Sequence, residues 1–184
     1  MLERCFTILV VALLTLSCSA PPEKEHQLAL QALLAARTPD TTAYAPGELA
    51  AAEASLASYD RAVADRDYRQ ALSRALEARE QATLAPQVAG ERKAQARLQA
   101  DSLLAECNAV LSSLRTRMTA SGASRPTSAQ LTRLRQATHA KPTQIRVAEA
   151  MINQQDYKNA IAALTPILQS LRQDEAATAP RSGK

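Results

Sequence analysis

The chain has no tryptophan and one phenylalanine, Phe6. With four tyrosines, aromatic residues make up 3% of the sequence. So few ring faces exclude a surface built to stack nucleobases or sugars, and nucleic acid is not an expected partner. Glycine is equally sparse: Gly47, Gly90, Gly122 and Gly183 each stand alone. They form no phosphate-cradling loop and no Gly-x-Ser-x-Gly nucleophile turn. The two histidines, His26 and His139, are far apart, and neither belongs to a cluster at the short spacings a zinc site needs. Both are expected on exposed helix or loop positions. Carboxylates such as Glu77 and Glu80 lie beside Arg74 and Arg79, which reads as surface ion pairing. The expectation is a chain that is not an enzyme, with no catalytic residue, cofactor or metal.

Cysteine is also scarce, at three residues. Their positions are more informative than their number. Arg4 and the N-terminal amine open a weakly positive start, partly offset by Glu3. An uncharged apolar run follows from Phe6 to Leu16. It is too short to span a bilayer, which takes roughly 20 apolar residues, but suits the apolar core of an export signal. The run ends at Leu16-Ser17-Cys18 and resembles the lipobox of bacterial lipoproteins, with Thr15 where leucine is usual. The resemblance implies removal of residues 1–17 and lipidation at Cys18, which becomes the mature N-terminus. With each buried CH₂ contributing about 0.8 kcal/mol, several acyl chains make an effectively permanent anchor. Ser19 follows where aspartate would signal inner-membrane retention in some bacteria. The expected location is therefore the outer membrane, facing the periplasm. Ordinary cleavage after Ala20 is the alternative, and Pro21 just past that cut disfavours it. With Cys5 in the signal and Cys18 lipidated, Cys107 has no disulfide partner. Its place on an apolar helical stripe reads as a small buried hydrophobe.

Alanine, about one residue in five, together with few strand formers, predicts an all-α fold. The expected architecture is antiparallel helical hairpins joined by a long amphipathic helix. A lipidated N-terminus and tether spans 18–26, and a first helix runs from Gln27 to Ala36 with Leu28, Leu30, Leu33 and Leu34. Thr38-Pro39-Asp40-Thr41-Thr42 breaks it. Pro46 opens a second helix with Glu48 in its first turn and a stripe of Leu49, Ala52, Leu56, Tyr59 and Val63. After a turn at Asp65-Arg66, Asp67 caps a helix carrying Ala71, Ala75, Ala78, Ala82 and Ala85, a seam of small residues. Pro86 and Gly90 are expected to interrupt or kink it before a long helix reaches Met118 through Ala96, Ala100, Leu103, Cys107, Val110 and Leu114. This alanine-rich domain is placed at 27–120. A C-terminal hairpin region follows at 127–173, opened by the capping-box pattern Thr127-x-x-Gln130. Lys141-Pro142-Thr143 is expected to divide its first helix. Asp156 caps the last one, which Pro166 bends or shortens. Residues 174–184 read as a disordered tail.

Two segments align without gaps. Asp67-Tyr68-Arg69-Gln70-Ala71-Leu72 matches Asp156-Tyr157-Lys158-Asn159-Ala160-Ile161. Each follows one helix and opens another, which resembles the junction of a tetratricopeptide hairpin, where an aromatic starts the second helix and a small residue follows three later. The usual turn glycine is replaced by Arg66 and Gln155. A common helix-turn-helix solution reached twice gives the same pattern.

Tyr44-Ala45-Pro46-Gly47-Glu48-Leu49, with Ala52, Leu56, Asp67-Tyr68 and the alanines at 71, 75, 78 and 82, resembles a bacterial family known as domain of unknown function 4398. The resemblance covers about Gln27 to Glu106. It implies a small alanine-rich helical envelope protein, often a lipoprotein. It brings no activity and no catalytic residues.

One asymmetry points to a partner. Cys107 to Ala148 contains no Asp or Glu and seven cations: Arg115, Arg117, Arg125, Arg133, Arg135, Lys141 and Arg146. The rest of the mature chain has 14 basic and 17 acidic side chains, so the net charge of +4 originates in this segment. Such a stretch suits an anionic partner: lipid head groups, lipopolysaccharide, peptidoglycan or an acidic protein. The alternative is a solvated face balanced by acids elsewhere. Two function classes stand open. The first is a membrane-anchored, non-catalytic scaffold or adaptor with an envelope protein partner. The second is direct binding of an envelope polyanion through 107–148. A secretion or pilus pilot lipoprotein is a third.

Overall fold

A computed structural model describes residues 20–120 and 126–178. Among them are six helices and no strand: α1 (Glu23–Ala36), α2 (Pro39–Tyr44), α3 (Pro46–Ala64), α4 (Tyr68–Met118), α5 (Ser128–Asn153) and α6 (Tyr157–Ala177). The protein is all-α, with the long α4 joined to helical hairpins. The segment expected as an export signal, Cys18, residues 121–125 and the last six residues lie outside the described residues.

The chain divides into two compact units, with the division between Glu91 and Arg92, inside α4. The sequence places a boundary in the loop after residue 120 instead. The difference arises because the second half of α4 supplies core to α5 and α6, so the long helix is shared rather than owned by the alanine-rich segment.

In the first unit α1, α2 and α3 precede the N-terminal half of α4. α1 starts at Glu23, inside the segment expected as tether, with Glu23 and Glu25 in its first turn where they complement the helix dipole. The Thr38–Thr42 segment is not a plain break. Thr38 caps a short helix by accepting the Thr41 N–H at 3.1 Å, and Pro39 takes its first position. α3 begins at Pro46 as expected and buries Leu49, Ala52, Leu56 and Tyr59. Against α3 runs the small-residue seam of α4. Tyr59, Ala62, Ala71 and Ala75 form one cluster, with Val63 beside them. Ala78, Ala82, Ala85 and Ala89 continue the buried seam.

Pro86 does not interrupt α4, which runs 51 residues through it and through Gly90. A proline mid-helix removes one backbone hydrogen bond and costs about 3 kcal/mol. Burial of Ala82, Ala85 and Ala89 on either side holds the flanking turns in register.

The second unit combines the C-terminal half of α4 with the α5–α6 hairpin. Cys107, Leu111 and Leu114 of α4 pack with Leu134, Ala137, Ile145 and Ala148 of α5 and with Leu164, Ile167, Leu168 and Leu171 of α6. A smaller cluster joins Ala100 to Tyr157 and Ala160 near the turn. Thr127 and Gln130 form the expected capping box. Lys141-Pro142-Thr143 does not divide two helices, because α5 continues through Pro142 to Asn153. α6 likewise passes Pro166 and extends to Ala177, so 174–177 is helix rather than tail. Buried Ile145 and Ala148 beyond one proline, and Ile167, Leu168 and Leu171 beyond the other, anchor the turns each proline weakens. Asp156 gives no side-chain cap bond to a backbone N–H; its carboxylate accepts from the Asn159 amide at 2.8 Å instead. Asp67 does cap α4, accepting the Gln70 N–H at 2.9 Å.

Candidate functional site

The two echoed segments fold alike. At the end of α3, the Arg66 N–H reaches the Val63 carbonyl at 3.0 Å and the Asp67 N–H reaches Ala62 at 2.8 Å. At the end of α5, the Gln155 N–H reaches Ile152 at 2.9 Å and the Asp156 N–H reaches Met151 at 2.9 Å. Both are Schellman closures, in which a left-handed residue turns the chain so that its own N–H and that of the next residue satisfy two terminal carbonyls. Arg66 and Gln155 are that residue, with φ of 58° and 62°. Each turn then starts a helix with a tyrosine, and the small residue three later, Ala71 or Ala160, is fully buried.

Six of the seven basic residues fall among the described residues, on α4 and α5, and their surroundings differ. Arg115 is exposed in the last turn of α4, where a cation complements the helix dipole. Arg117, one turn-edge away, is half-buried and committed: it donates to the Glu175 backbone carbonyl at 2.7 Å and pairs with the Glu175 carboxylate at 3.2 Å. Ser113 donates to the same carboxylate at 2.8 Å. Arg117, named with the other six as a candidate for an anionic partner, is thus paired within the fold, and its acid, Glu175, lies in the stretch 174–177 expected as tail. Arg125 lies outside the described residues. Arg133, Arg135 and Arg146 are exposed on α5. Arg135 and Arg146 are eleven residues apart, close to three turns of helix, and so share a face.

Lys141 differs from the other cations. It is half-buried and lines an open groove between α5 and α6 of about 480 Å³, with Gln144, Val147, Ala163, Pro166 and Ile167. No acidic side chain lines that groove. The sequence reading grouped Lys141 with the arginines by charge and missed its neighbours, which come from a helix 25 residues on. The two prolines carried the signal: Pro142 precedes Gln154 by twelve residues and Pro166 follows it by twelve, so an antiparallel hairpin brings them to one level.

Other candidate groups have structural roles. Cys107 is fully buried, and its thiol faces the Leu164 carbonyl at 3.9 Å. Burial pushes the thiol pKa up; Glu106 adds to this and Arg172 opposes it. A raised thiol holds less thiolate, the reactive form. His139 is exposed, as expected. His26 is not: its ring stacks on Tyr59, centroids 4.2 Å apart and 13° from parallel. Among the described residues no three His, Cys, Asp or Glu side chains stand close enough to hold a metal. Nor is any helix among them long and apolar enough to cross a membrane.

Comparison with family models, with curated proteins and with solved structures returns no match for this chain.

Proposed function

We propose that this protein is a membrane-anchored, non-catalytic helical adaptor of the bacterial envelope, lipidated at Cys18 and held at the outer membrane facing the periplasm. The observation that carries the adaptor reading is the repeated turn. Two hairpins close through the same left-handed position, the same opening tyrosine and the same buried alanine. Helical hairpins of this kind offer grooves between helices as docking surfaces for other chains. The resemblance to the domain of unknown function 4398 family and the lipobox-like Ser17-Cys18 support the envelope placement.

Recovery of the tethered protein from envelope extracts tests the adaptor reading. A defined protein partner that survives high salt is the expected result. Turnover of a substrate by the purified chain, or recovery of no protein at all, overturns it. Mass spectrometry of the mature N-terminus tests the anchor separately, and an unmodified N-terminus beyond Cys18 removes it.

Direct binding of an envelope polyanion is a second reading, favoured by the exposure of Arg133, Arg135 and Arg146 on α5. Each cation near an anionic surface contributes about 1 kcal/mol. Such binding weakens steeply with salt, because screening acts within about 8 Å at physiological ionic strength.

A further inference from the structure

α4 is continuous as a helix but not in its packing. Ala82, Ala85 and Ala89 belong to the buried seam of the first unit. Ala100, Cys107, Leu111 and Leu114 belong to the clusters of the second. Between Ala89 and Ala100 no residue is buried. Lys93 and Ala96 are half-buried, the others are exposed, and Leu98 reaches 70% exposure. The division between the two units, after Glu91, falls in this stretch.

Short helices are marginal in water, and helices in proteins draw most of their stability from a packed face. A stretch without such a face depends on intrinsic propensity and on its flanks. Both are weakened at its N-terminal edge. Pro86 has no N–H to donate to the Ala82 carbonyl, so the helical ladder lacks one bond there. Gly90 follows one turn later, and glycine is the poorest helix former after proline. Packing does not call for glycine at this position, because a Cβ would meet nothing within 4 Å; nor does the backbone, whose φ is not positive. Lys93 donates to the Gln155 side chain at 3.1 Å and Arg97 pairs with Asp101 at 3.7 Å, but both contacts are exposed. Exposed contacts of this kind add little.

We propose that residues 90–95 of α4 are an opening point built into the fold. This stretch, Gly-Glu-Arg-Lys-Ala-Gln, melts locally while both units stay folded, and the two units unfold as separate cooperative units. Melting of one unit, by heat or by a partner, is then not relayed along α4 to the other. The proposal stands on the helix itself and is independent of what the adaptor binds.

Hydrogen exchange of the full-length chain, read peptide by peptide by mass spectrometry, tests it. Amides in 90–95 should exchange about tenfold or more faster than those in 78–85 and in 103–114. Gly90→Ala should slow exchange in 90–95 by about fivefold, the difference in helix propensity between the two residues, and leave the flanking peptides at the parent's rate. Leu114 is fully buried in the second unit, so Leu114→Ala opens a cavity there. It should speed exchange in 103–171 and leave 29–85 unchanged. If the second unit of that variant fails to fold at all, the first unit should still keep its protection. Protection in 90–95 equal to that of its flanks, indifference of that stretch to Gly90→Ala, or a Leu114→Ala effect that spreads through both units overturns the proposal.

Discussion

Arg66 and Gln155 hold the same backbone conformation at the same position of two turns, each donating its N–H to the carbonyl three residues before it. Glycine is the residue that adopts positive φ without a Cβ clash. A non-glycine residue there carries about 1–2 kcal/mol of strain. Replacement by glycine relieves it but loosens the unfolded chain by about 0.4–1 kcal/mol. Arg66→Gly and Gln155→Gly should therefore each stabilise the protein by about 0.5–1 kcal/mol, read as a raised denaturation midpoint. Destabilisation by both changes would show that the side chains themselves hold the turns.

Tyr59 supplies a second prediction. Its side chain is buried to 3% exposure, and its hydroxyl has no hydrogen-bond partner. An unpaired buried hydroxyl costs about 1–3 kcal/mol of desolvation. Tyr59→Phe keeps the ring stacked on His26 and should be neutral or stabilising, whereas His26→Ala should lose about 0.5–1.5 kcal/mol with the stack. Urea denaturation measures both. A large loss in Tyr59→Phe would reveal a partner for the hydroxyl.

The same residue predicts a pH effect. Burial raises the Tyr59 pKa, and the nearby Glu23, Asp60 and Glu25 raise it further. Above the ordinary tyrosine pKa of 10.0 the unfolded chain gives up this proton while the folded chain retains it. Stability then falls as pH rises through that window. The parent should lose stability above pH 10 more steeply than Tyr59→Phe, and parallel curves for the two proteins would contradict the shift.

The sequence made the helical class, the α3 stripe, the alanine seam and the Thr127 capping box legible, because each is a local pattern of spacing or capping. It expected Pro142 to divide two helices, where one helix runs through it, and it allowed for a break at Pro86 and a shortened helix at Pro166, neither of which occurs. Pro86, Pro142 and Pro166 all lie within helices. A local rule counts the lost hydrogen bond but not the buried residues on either side that hold the next turn. The basic segment was legible as a charge imbalance and not as a surface. Arg117 is taken up by Glu175, on a stretch whose alanine-rich polar sequence looks disordered, and Lys141 is set apart by residues of α6. Pairings across 58 and 25 residues have no local signature. The matched turns were visible as Asp-Tyr-x-x-Ala, yet the left-handed residue before each was read only as a missing glycine.

Arg117 and Glu175 yield the last prediction, which distinguishes cations that hold the fold from cations free to bind. Both side chains are 30% exposed, and Glu175 accepts from Arg117 and Ser113 together. The pair ties the end of α6 to α4, and Arg117 also bonds the Glu175 backbone carbonyl. Solvent-exposed pairs contribute about 0.2–1 kcal/mol, and this half-buried one should fall near the top of that range. Arg117→Gln should cost about 1 kcal/mol and speed amide hydrogen exchange in the last turn of α6. Replacing Arg133, Arg135 and Arg146 together by Gln should change stability by no more than a few tenths of a kcal/mol per site, because all three are exposed. On anionic vesicles or purified wall fragments at low salt, the polyanion reading requires the triple variant to bind far more weakly than the parent, with Arg117→Gln close to the parent. Equal binding by parent and triple variant would reduce the charge imbalance to a solvated face and leave the adaptor as the sole reading.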